Sequence, residues 1–278
     1  MVKSFIDYWN EVKQHISEKD DEVVFFRGQA NGDYKKMIPG IYRNASINEQ
    51  NEYKQIQIDY PEEFNKHSHL SNLVKMQHYG CNTRLLDFSL NPLIALYFAV
   101  ETDKDKNGKV FVVKVKKEDI LFQNSDRALM LSCLPAFSKK DKDTIKRFCS
   151  KHRGRITECD IKSSDVMHRF LHEIRGEYPA FETAIIGEDL LKYYFLRPHK
   201  DNLRMKTQDG AFAIFGLDEE NSIKDINERA DIIEIKASAK KELLKDLDIM
   251  RINSNTIYPG LERKAMLNRE KIVKWEKL

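Results

Sequence analysis

Four short polar segments of this 278-residue chain hold the residues that could do chemistry. The first is FFRGQ at 25–29, where an arginine follows two aromatic residues. The planar guanidinium of Arg27 suits a phosphate or a carboxylate, and Gly28 lets a ligand or a backbone approach closely. Gln29 is grouped with them as a binding residue. The alternative is a structural arginine that pairs with a carboxylate such as Asp87.

The second segment is HYGCNTRLLDFSLNP at 78–92, a short link between two predicted helices. Its candidate residues are His78, Thr83, Arg84 and Ser89. The histidine could act as a donor or a base, and the hydroxyls could hydrogen-bond a sugar hydroxyl or an amide. In the structural alternative, Asp87 and Asn91 act only as caps and Arg84 pairs only with Asp87.

The third and fourth segments lie near the carboxyl end of the chain. RMKTQDGAF at 204–212 could bring Arg204 and Gln208 to a cleft, although an exposed hairpin turn is the favoured interpretation. TIYPGLE at 256–262 puts Glu262 near the start of a predicted helix, where the helix dipole stabilises a carboxylate whether or not it has a function.

Several familiar sites are not indicated. The sequence holds no HExxH, phosphate-binding loop, GxGxxG or GxSxG motif, and His67, His69 and His78 do not have a metal-binding spacing. The four cysteines are dispersed without a C-x-x-C pair, which is ordinary intracellular usage. No metal cofactor is therefore expected.

The elements that must position these residues follow from hydrophobic spacing. Short β-branched or aromatic runs predict strands at 22–26, 110–115, 193–196, 211–215 and 232–235. Helical periodicity predicts helices from Ser4, over 51–78 with a break at Pro61, from Asn91, across most of 118–175, from Ser238, and from about 261 to 275. Asp59 is the predicted cap for the second half of the 51–78 helix.

Irregular strand spacing favours a mixed sheet over a doubly wound one. We therefore predict an α/β (α+β) fold, a mixed β-sheet flanked by helices. No low-complexity linker divides the chain, so 1–278 is predicted to be a single domain with 118–190 as a helical insertion.

Composition excludes several classes of protein. Lys and Arg total 47 against 44 for Asp and Glu, so the chain is not an overall polycation for nucleic acid. Hydrophobic residues at 41% disfavour a disordered protein. The longest apolar stretch, 93–100, is far shorter than the roughly 20 residues of a membrane span, and the amino-terminal segment is unlike a signal peptide. A cytoplasmic protein with no membrane partner is expected.

The motifs together resemble a known family. FFRGQ at 25–29, MIPGIYR at 37–43 and QHYGCNTRLLDFSLNPLIALYFA at 77–99 resemble the FRG domain family, which is named for the aromatic-Arg-Gly triplet found here at 26–28. Arg204, the Q-x-G-x-F at 208–212 and TIYPGLE are similar to its carboxyl-terminal pattern. The resemblance covers roughly 5–275, with no matching motif in 118–190, and implies a bacterial or phage-type intracellular protein.

The order of three motifs is also similar to the Arg–Ser–Glu layout of ADP-ribosyltransferases, although the Ser-Thr-Ser triplet and the Glu-x-Glu pair are absent. In those enzymes the arginine holds NAD, the Ser/Thr positions the first segment, and the glutamate steers the ribosyl transition state. The expected cofactor is NAD, and the expected catalytic residues are Glu262 and His78. The expected cofactor-binding residues are Arg27, Gly28, Gln29, Thr83, Arg84, Ser89 and Gln208.

Three functions remain open at this point. The first is an NAD-dependent ADP-ribosyltransferase-like toxin or phage-defence effector, with a small-molecule nucleotide as ligand and a protein or nucleic acid as acceptor. The second is a nucleic-acid or nucleotide-binding module, since arginines and aromatic planes bind phosphate and base. The third is a sensor or interaction protein with a vestigial pocket. Convergence of Arg27, Arg84, Gln208 and Glu262 around one cavity would favour the first.

Overall fold

A computed structural model describes residues 1–16, 21–34, 36–64, 68–183, 185–200 and 203–259. The strands are β1 (Glu22–Gln29), β2 (Leu85–Ser89), β3 (Gly108–Lys116), β4 (Leu121–Phe122), β5 (Tyr193–Arg197), β6 (Gly210–Phe215) and β7 (Asp231–Ile235). The first six helices are α1 (Phe5–His15), α2 (Glu49–Asp59), α3 (His69–His78), α4 (Pro92–Val100), α5 (Asp126–Cys133) and α6 (Lys139–Lys151). The others are α7 (Glu158–Lys162), α8 (Asp165–Glu177), α9 (Leu203–Thr207), α10 (Glu219–Glu228), α11 (Lys240–Ile249) and α12 (Ser254–Ile257).

The strands form one mixed sheet in the order β4-β5-β6-β2-β1-β3-β7. Only β4 and β5 are parallel among these neighbours, and the other pairs are antiparallel. The predicted α/β fold with a mixed sheet flanked by helices is therefore confirmed. β1 is paired with β3 along its whole length but with β2 at a single position, Phe26 opposite Ser89. The centre of the sheet is therefore loosely joined between β1 and β2.

Helices cover one face of the sheet in two groups. α1, α4 and α11 pack over β1, β3 and β7, in a cluster that includes Phe26 and Val110. α2, α3, α5, α6 and α8 pack over β2, β5 and β6, in a cluster that includes Leu85 and Phe212. Phe26 of the first cluster lies directly opposite Ser89 of β2, so the two side chains point to the same face of the sheet. Leu85 of the second cluster is four residues before Ser89 in the same strand and therefore lies on that face too. Both groups of helices thus cover the same face. The gap between the two groups is where a cleft can form.

The opposite face holds a third cluster, with Phe25, Phe88 and Phe195 at its centre. Phe25 and Phe195 have ring centroids 4.5 Å apart, and Phe88 meets Phe195 edge-on at 5.0 Å. Because successive strand residues alternate between faces, Phe25 and Phe26 anchor the sheet from both sides. β1 is thus held firmly just before Arg27.

Several predicted helix starts are confirmed. Ser4 caps α1 and forms a capping box with Asp7. Asn91 caps α4 with Pro92 at the first position, where the missing N–H of proline costs nothing. The 118–175 region is mostly helical as predicted, and its helix α8 begins after the cap Ser164.

Three local predictions are wrong. α2 runs through Asp59, and the cap of the next helix is Ser68, because the chain does not become helical again directly after Pro61. Ser238 lies inside a 3-10 turn, and α11 begins at Lys240 without a side-chain cap. The segment before β6 is the short helix α9 rather than a hairpin turn. The helix predicted over 261–275 lies outside the described residues.

The predicted insertion packs into the body of the molecule. Phe170 and Ile174 of α8 belong to the same hydrophobic cluster as Leu85 of β2 and Ile214 of β6. The single domain over 1–278 stays a prediction. In the part of the chain that the structure describes, no helix has the length and apolar character needed to cross a membrane.

Candidate functional site

A cavity of about 330 Å³ lies where β1 and β2 separate, beside the segment that follows α4 and the helix α9. β1, β2 and β6 form its floor, and the segment after α4 and the helix α9 form its sides. Among its lining residues are Arg27, Gly28, Ser89, Glu101, Arg204 and Gln208. Five of the expected cofactor-binding residues, Gln29 included, therefore meet at one cavity, although they come from three distant parts of the chain.

Arg27 contributes a largely buried guanidinium to this cavity. Its side chain is 17% exposed, its Nη1 donates to the Asp87 carbonyl at 2.7 Å, and the Asp87 carboxylate is 3.9 Å away. Its Nε is buried and has no hydrogen-bond partner among the described residues. Burial lowers the pKa of Arg27 despite the opposing charge of Asp87, but a guanidinium remains charged at neutral pH. The guanidinium thus brings a positive charge and an unsatisfied donor to the cavity wall.

The loose junction between β1 and β2 explains why the Arg27 side chain reaches the Asp87 carbonyl. Asp87 pairs with Phe212 of β6 on one side, and on the other side its carbonyl accepts from the Arg27 side chain. The Asp87 carboxylate is fixed from α3, since Gln77 Nε2 donates to it at 2.7 Å and Thr83 Oγ1 donates to Gln77 at 2.6 Å. The predicted Arg27–Asp87 pairing therefore exists mainly through a backbone carbonyl.

Gly28 and Gln29 shape the cavity rather than presenting free polar groups. A Cβ at Gly28 would lie 1.9 Å from the Ala95 carbonyl oxygen and 2.8 Å from the Ala99 nitrogen, so only glycine lets α4 approach β1 this closely. Gln29 Nε2 donates to the carbonyls of Asn31 and Tyr34. These bonds fold the turn that lines the cavity next to β1.

Ser89 and Gln208 form the opposite wall. Ser89 Oγ donates to the Gln208 carbonyl at 2.7 Å, and Gln208 Nε2 donates to the Ile257 carbonyl at 3.1 Å. Arg204 lies one turn before Gln208, with its Nη1 on the His78 carbonyl at 3.0 Å and its guanidinium 5.4 Å from the Tyr258 ring centroid. The 204–212 segment therefore lies at the cleft, and the favoured hairpin interpretation is wrong.

Glu101 is a lining carboxylate that the sequence analysis did not single out. The Tyr258 hydroxyl lies 2.8 and 3.0 Å from its two oxygens and donates to them. Glu101 directly follows α4, where the negative end of the helix dipole disfavours a carboxylate. An acid at that end of an otherwise apolar helix is the signal that could have identified it.

Lys240 is a second residue that was missed. It is fully buried, and its Nζ donates to the carbonyls of Ala30, Thr102 and Asp103 at 2.6, 3.2 and 2.8 Å. All three acceptors line the cavity. Asp103 also has a positive φ of 44°, which a side chain adopts only when its surroundings hold it there. Lys240 therefore fixes the cavity wall from behind.

Arg84 is brought to a different place from the one expected. Its Nε and Nη2 donate to Glu49 at 2.8 and 2.6 Å, its Nη1 donates to the Phe215 carbonyl, and Lys142 reaches the same carboxylate at 2.5 Å. The side chain is 1% exposed. Arg84 does not line the cavity because its charge is used in this buried triad, and its partner is Glu49 rather than Asp87.

Thr83 and His78 also lie off the cavity. Thr83 is buried, donating to Gln77 and accepting from the Leu85 N–H. His78 contributes its carbonyl to Arg204, and burial, Arg204 and Lys75 lower the pKa of its ring below 6.5. Its imidazole is therefore neutral near pH 7. Glu262 lies outside the described residues.

The charges around the cavity are mixed. Arg27 and Arg204 supply guanidinium groups, while Asp87, Glu101 and Asp103 supply carboxylates. Such a wall suits a compact ligand with an anionic group and hydroxyls, because a long polyanion would meet the carboxylates as well. The arrangement can hold a phosphate beside Arg27 and present a carboxylate to another part of the same molecule.

Comparison with known proteins gives one finding. Residues 22–108 match the family model of the FRG domain, so the chain carries an FRG domain that runs from β1 to the start of β3. No curated protein and no solved structure matches the chain.

Proposed function

We propose that the cavity of this chain, which carries an FRG domain over residues 22–108, binds a phosphate-bearing nucleotide. The nucleotide that we propose is NAD, and we propose that the protein transfers ADP-ribose from it. One observation carries the proposal: Arg27 lines the cavity, and its buried Nε has no partner among the described residues. An unsatisfied buried donor costs about 1–3 kcal/mol, and a phosphate oxygen would supply both the acceptor and the opposite charge.

The size of the cavity supports partial enclosure of such a ligand. Ligand pockets commonly range from about 300 to 1,000 Å³, and this one is at the lower end at about 330 Å³. The diphosphate and an adjacent ribose would fit against Arg27, Ser89 and Gln208, and the remainder of the dinucleotide would extend past Arg204. In this proposal Thr83 acts indirectly, because its bond to Gln77 fixes Asp87 and thereby Arg27.

The chemistry requires a carboxylate near the ribose. Cleavage of the C1′–N bond lets nicotinamide leave with the electron pair, and positive charge develops on the ribose. An acceptor lone pair then bonds to C1′, and the acceptor loses its proton to solvent or a base. A preorganised carboxylate stabilises the developing charge, and Glu101 is the described residue to which we assign this role. The role of Glu262 stays a prediction from the resemblance, as do NAD contacts by Arg84 and catalysis by His78.

The nucleic-acid alternative is less well supported. Asp87, Glu101 and Asp103 interrupt the positive surface around Arg27, whereas a polynucleotide track needs a continuous basic groove. A protein or a nucleic acid as acceptor, and a role as toxin or phage-defence effector in the cytoplasm, stay predictions.

The test is NAD binding and nicotinamide release by purified full-length protein, with cell extract as the source of acceptor. We expect Arg27→Ala to weaken NAD binding by about tenfold or more and Arg27→Lys to restore only part of it, because lysine lacks the planar fork. Glu101→Gln should bind NAD and lose about a hundredfold or more in turnover. The control is Arg147→Ala, an exposed arginine of α6 outside the cavity lining.

Two results would contradict the proposal separately. Absence of nicotinamide release and label transfer by the wild-type protein, with NAD still bound through Arg27, would remove the transferase and leave the nucleotide site. Equal NAD affinity of Arg27→Ala and the wild type would remove the site itself. Polynucleotide binding that weakens steeply with salt and depends on Arg27 would favour the alternative.

A further inference from the structure

A second cluster of reactive side chains lies among the helices, outside the cavity described above. Ligand atoms of His69, Cys133 and Glu177 lie within 4.8 Å of one another. They come from α3, α5 and α8, so three helices converge at this point. Together with Glu173 of α8, which contacts the same histidine, they are called the His69 cluster.

The histidine of this cluster is held on three sides. Its Nδ1 is 2.7 Å from the Tyr53 hydroxyl, its Nε2 is 3.4 Å from Glu173 Oε1, and its backbone N–H donates to Glu177 Oε2 at 2.8 Å. Glu173 and Glu177 are four residues apart on α8 and therefore lie on the same helix face. The backbone bond to Glu177 puts that carboxylate on the Nδ1 side of the ring.

The cluster places two carboxylates beside a buried thiol. The carboxylates of Glu177 and Glu173 both act on the Cys133 thiol. Lys54 also acts on Glu173 and offsets part of the charge of the two carboxylates. Cys133 is fully buried, and no hydrogen bond to its sulfur is found among the described residues. A divalent cation would balance the carboxylates and stabilise the thiolate.

We propose that the His69 cluster is a Zn²⁺ site, with Nδ1 of His69, Sγ of Cys133 and a carboxylate oxygen of Glu177 as ligands. Nitrogen, sulfur and oxygen donors are the set that zinc takes in proteins. Binding releases the Cys133 proton to solvent, and the Tyr53 hydroxyl gives up its bond to Nδ1. Water or that hydroxyl completes the fourth position.

Glu173 completes the arrangement without binding the metal. A histidine that ligates zinc through one nitrogen commonly donates its other N–H to a carboxylate, and Glu173 stands at Nε2 for that role. Ligand atoms around zinc are about 3.5 Å apart, since the metal–ligand bonds are about 2.0–2.3 Å. The ligand atoms of the three side chains lie within 4.8 Å of one another, so they need to move about 1 Å closer together to bind the metal.

The consequence of the site is structural. α3, α5 and α8 share the hydrophobic cluster that packs on β2 and β6, so a metal joining them stabilises the helical layer. The inference is independent of the nucleotide cavity, because none of the cluster residues lines it.

The experiment uses full-length protein stripped with a chelator and then titrated with Zn²⁺ against a chromophoric chelator. We expect one Zn²⁺ per chain, a Tm that rises with Zn²⁺ concentration, and a thiolate-to-metal absorption band when Co²⁺ is used instead. Cys133→Ser should abolish the band and weaken Zn²⁺ binding by about a hundredfold, and Glu173→Gln should weaken it by about tenfold or more. The control is Cys159→Ser, an exposed cysteine of α7, which should leave all three readouts unchanged.

The proposal is overturned if Cys133→Ser binds Zn²⁺ as tightly as the wild type, which would identify adventitious binding at exposed groups. It is overturned equally if Zn²⁺ leaves the wild-type Tm unchanged and Co²⁺ gives no thiolate band. Should Cys133→Ser fail to fold, the variant Glu177→Gln, at a half-buried position, tests the same ligand set. A Zn²⁺ affinity of this variant equal to that of the wild type would also overturn the proposal.

Discussion

Arg27 and Gly28 show how two neighbouring residues divide the work at the cavity. The side chain of Arg27 reaches across the single β1–β2 junction to the Asp87 carbonyl, and its Nε faces no partner among the described residues. Gly28 points to the other face and lies against α4. The arginine therefore supplies the binding group, while the glycine sets how closely the cavity wall can approach.

At this scale we predict that Gly28→Ala destabilises the protein by about 3 kcal/mol or more, because the added methyl meets backbone atoms of Ala95 and Ala99 that cannot rotate away. Denaturant unfolding at equilibrium measures the effect. The matched control is Gly154→Ala, where a Cβ meets nothing within 4 Å and a change within about 0.5 kcal/mol is expected. Equal midpoints for the two variants would show that α4 does not pack on Gly28.

Among the elements, the segment after α4 depends on a helix that is distant in sequence. Thr102 and Asp103 follow α4 and line the cavity, yet their carbonyls are held by Lys240 at the start of α11. The same ammonium group holds Ala30 after β1. One buried side chain thus joins two loops of the cavity wall to a third element.

We predict that Lys240→Met leaves these three carbonyls without their donor, lowers stability by about 3 kcal/mol, and increases hydrogen exchange over 101–106. Lys241→Met, at the exposed neighbouring position, is the control and should leave exchange unchanged. Hydrogen–deuterium exchange mass spectrometry compares the two. Slow exchange over 101–106 in both variants would mean that Lys240 does not hold the wall.

Across the whole molecule, the buried triad of Glu49, Arg84 and Lys142 joins the helical layer to the sheet. Glu49 begins α2, Lys142 belongs to α6, and Arg84 immediately precedes β2. Burial alone would raise the pKa of Glu49, but the charges of Arg84 and Lys142 outweigh it and bring the pKa below 4.5. Folding therefore favours the ionised carboxylate.

We predict that Glu49→Gln costs about 3–5 kcal/mol at pH 7, because two buried cations lose their counter-charge. A carboxyl group with a lowered folded pKa stabilises the protein above its unfolded value of 4.5, and this contribution is lost as the pH falls through the folded value. The stability gap to the wild type should be constant from pH 7 to about 5 and should narrow below about 4.5. Glu62→Gln, an exposed control, should show no such gap in unfolding measured across this range. A gap for Glu49→Gln that does not change with pH would exclude the ionised triad as its source.

Interactions between residues that are close in the sequence were sufficient to predict most helices and strands. Apolar periodicity, β-branched runs and caps such as Ser4 and Asn91 act over a few residues, so the sequence alone determined where most helices and strands lie and that the sheet is mixed. The strand predicted over 22–26 is too short, because β1 continues to Gln29 and Arg27 lies inside it, opposite Phe111 of β3.

Tertiary structure decided which polar residues meet. In the sequence, Arg84 and Arg27 are equally plausible phosphate ligands. In the structure, α2 places Glu49 against Arg84, and the two side chains form a hydrogen bond. The Nε of Arg27 has no partner among the described residues. Lys240 and the His69 cluster could not be identified for the same reason, since their partners are tens to hundreds of residues away in the sequence. Spacing in a sequence reports contacts within one helix or turn, whereas a cavity is made by strand order and helix packing.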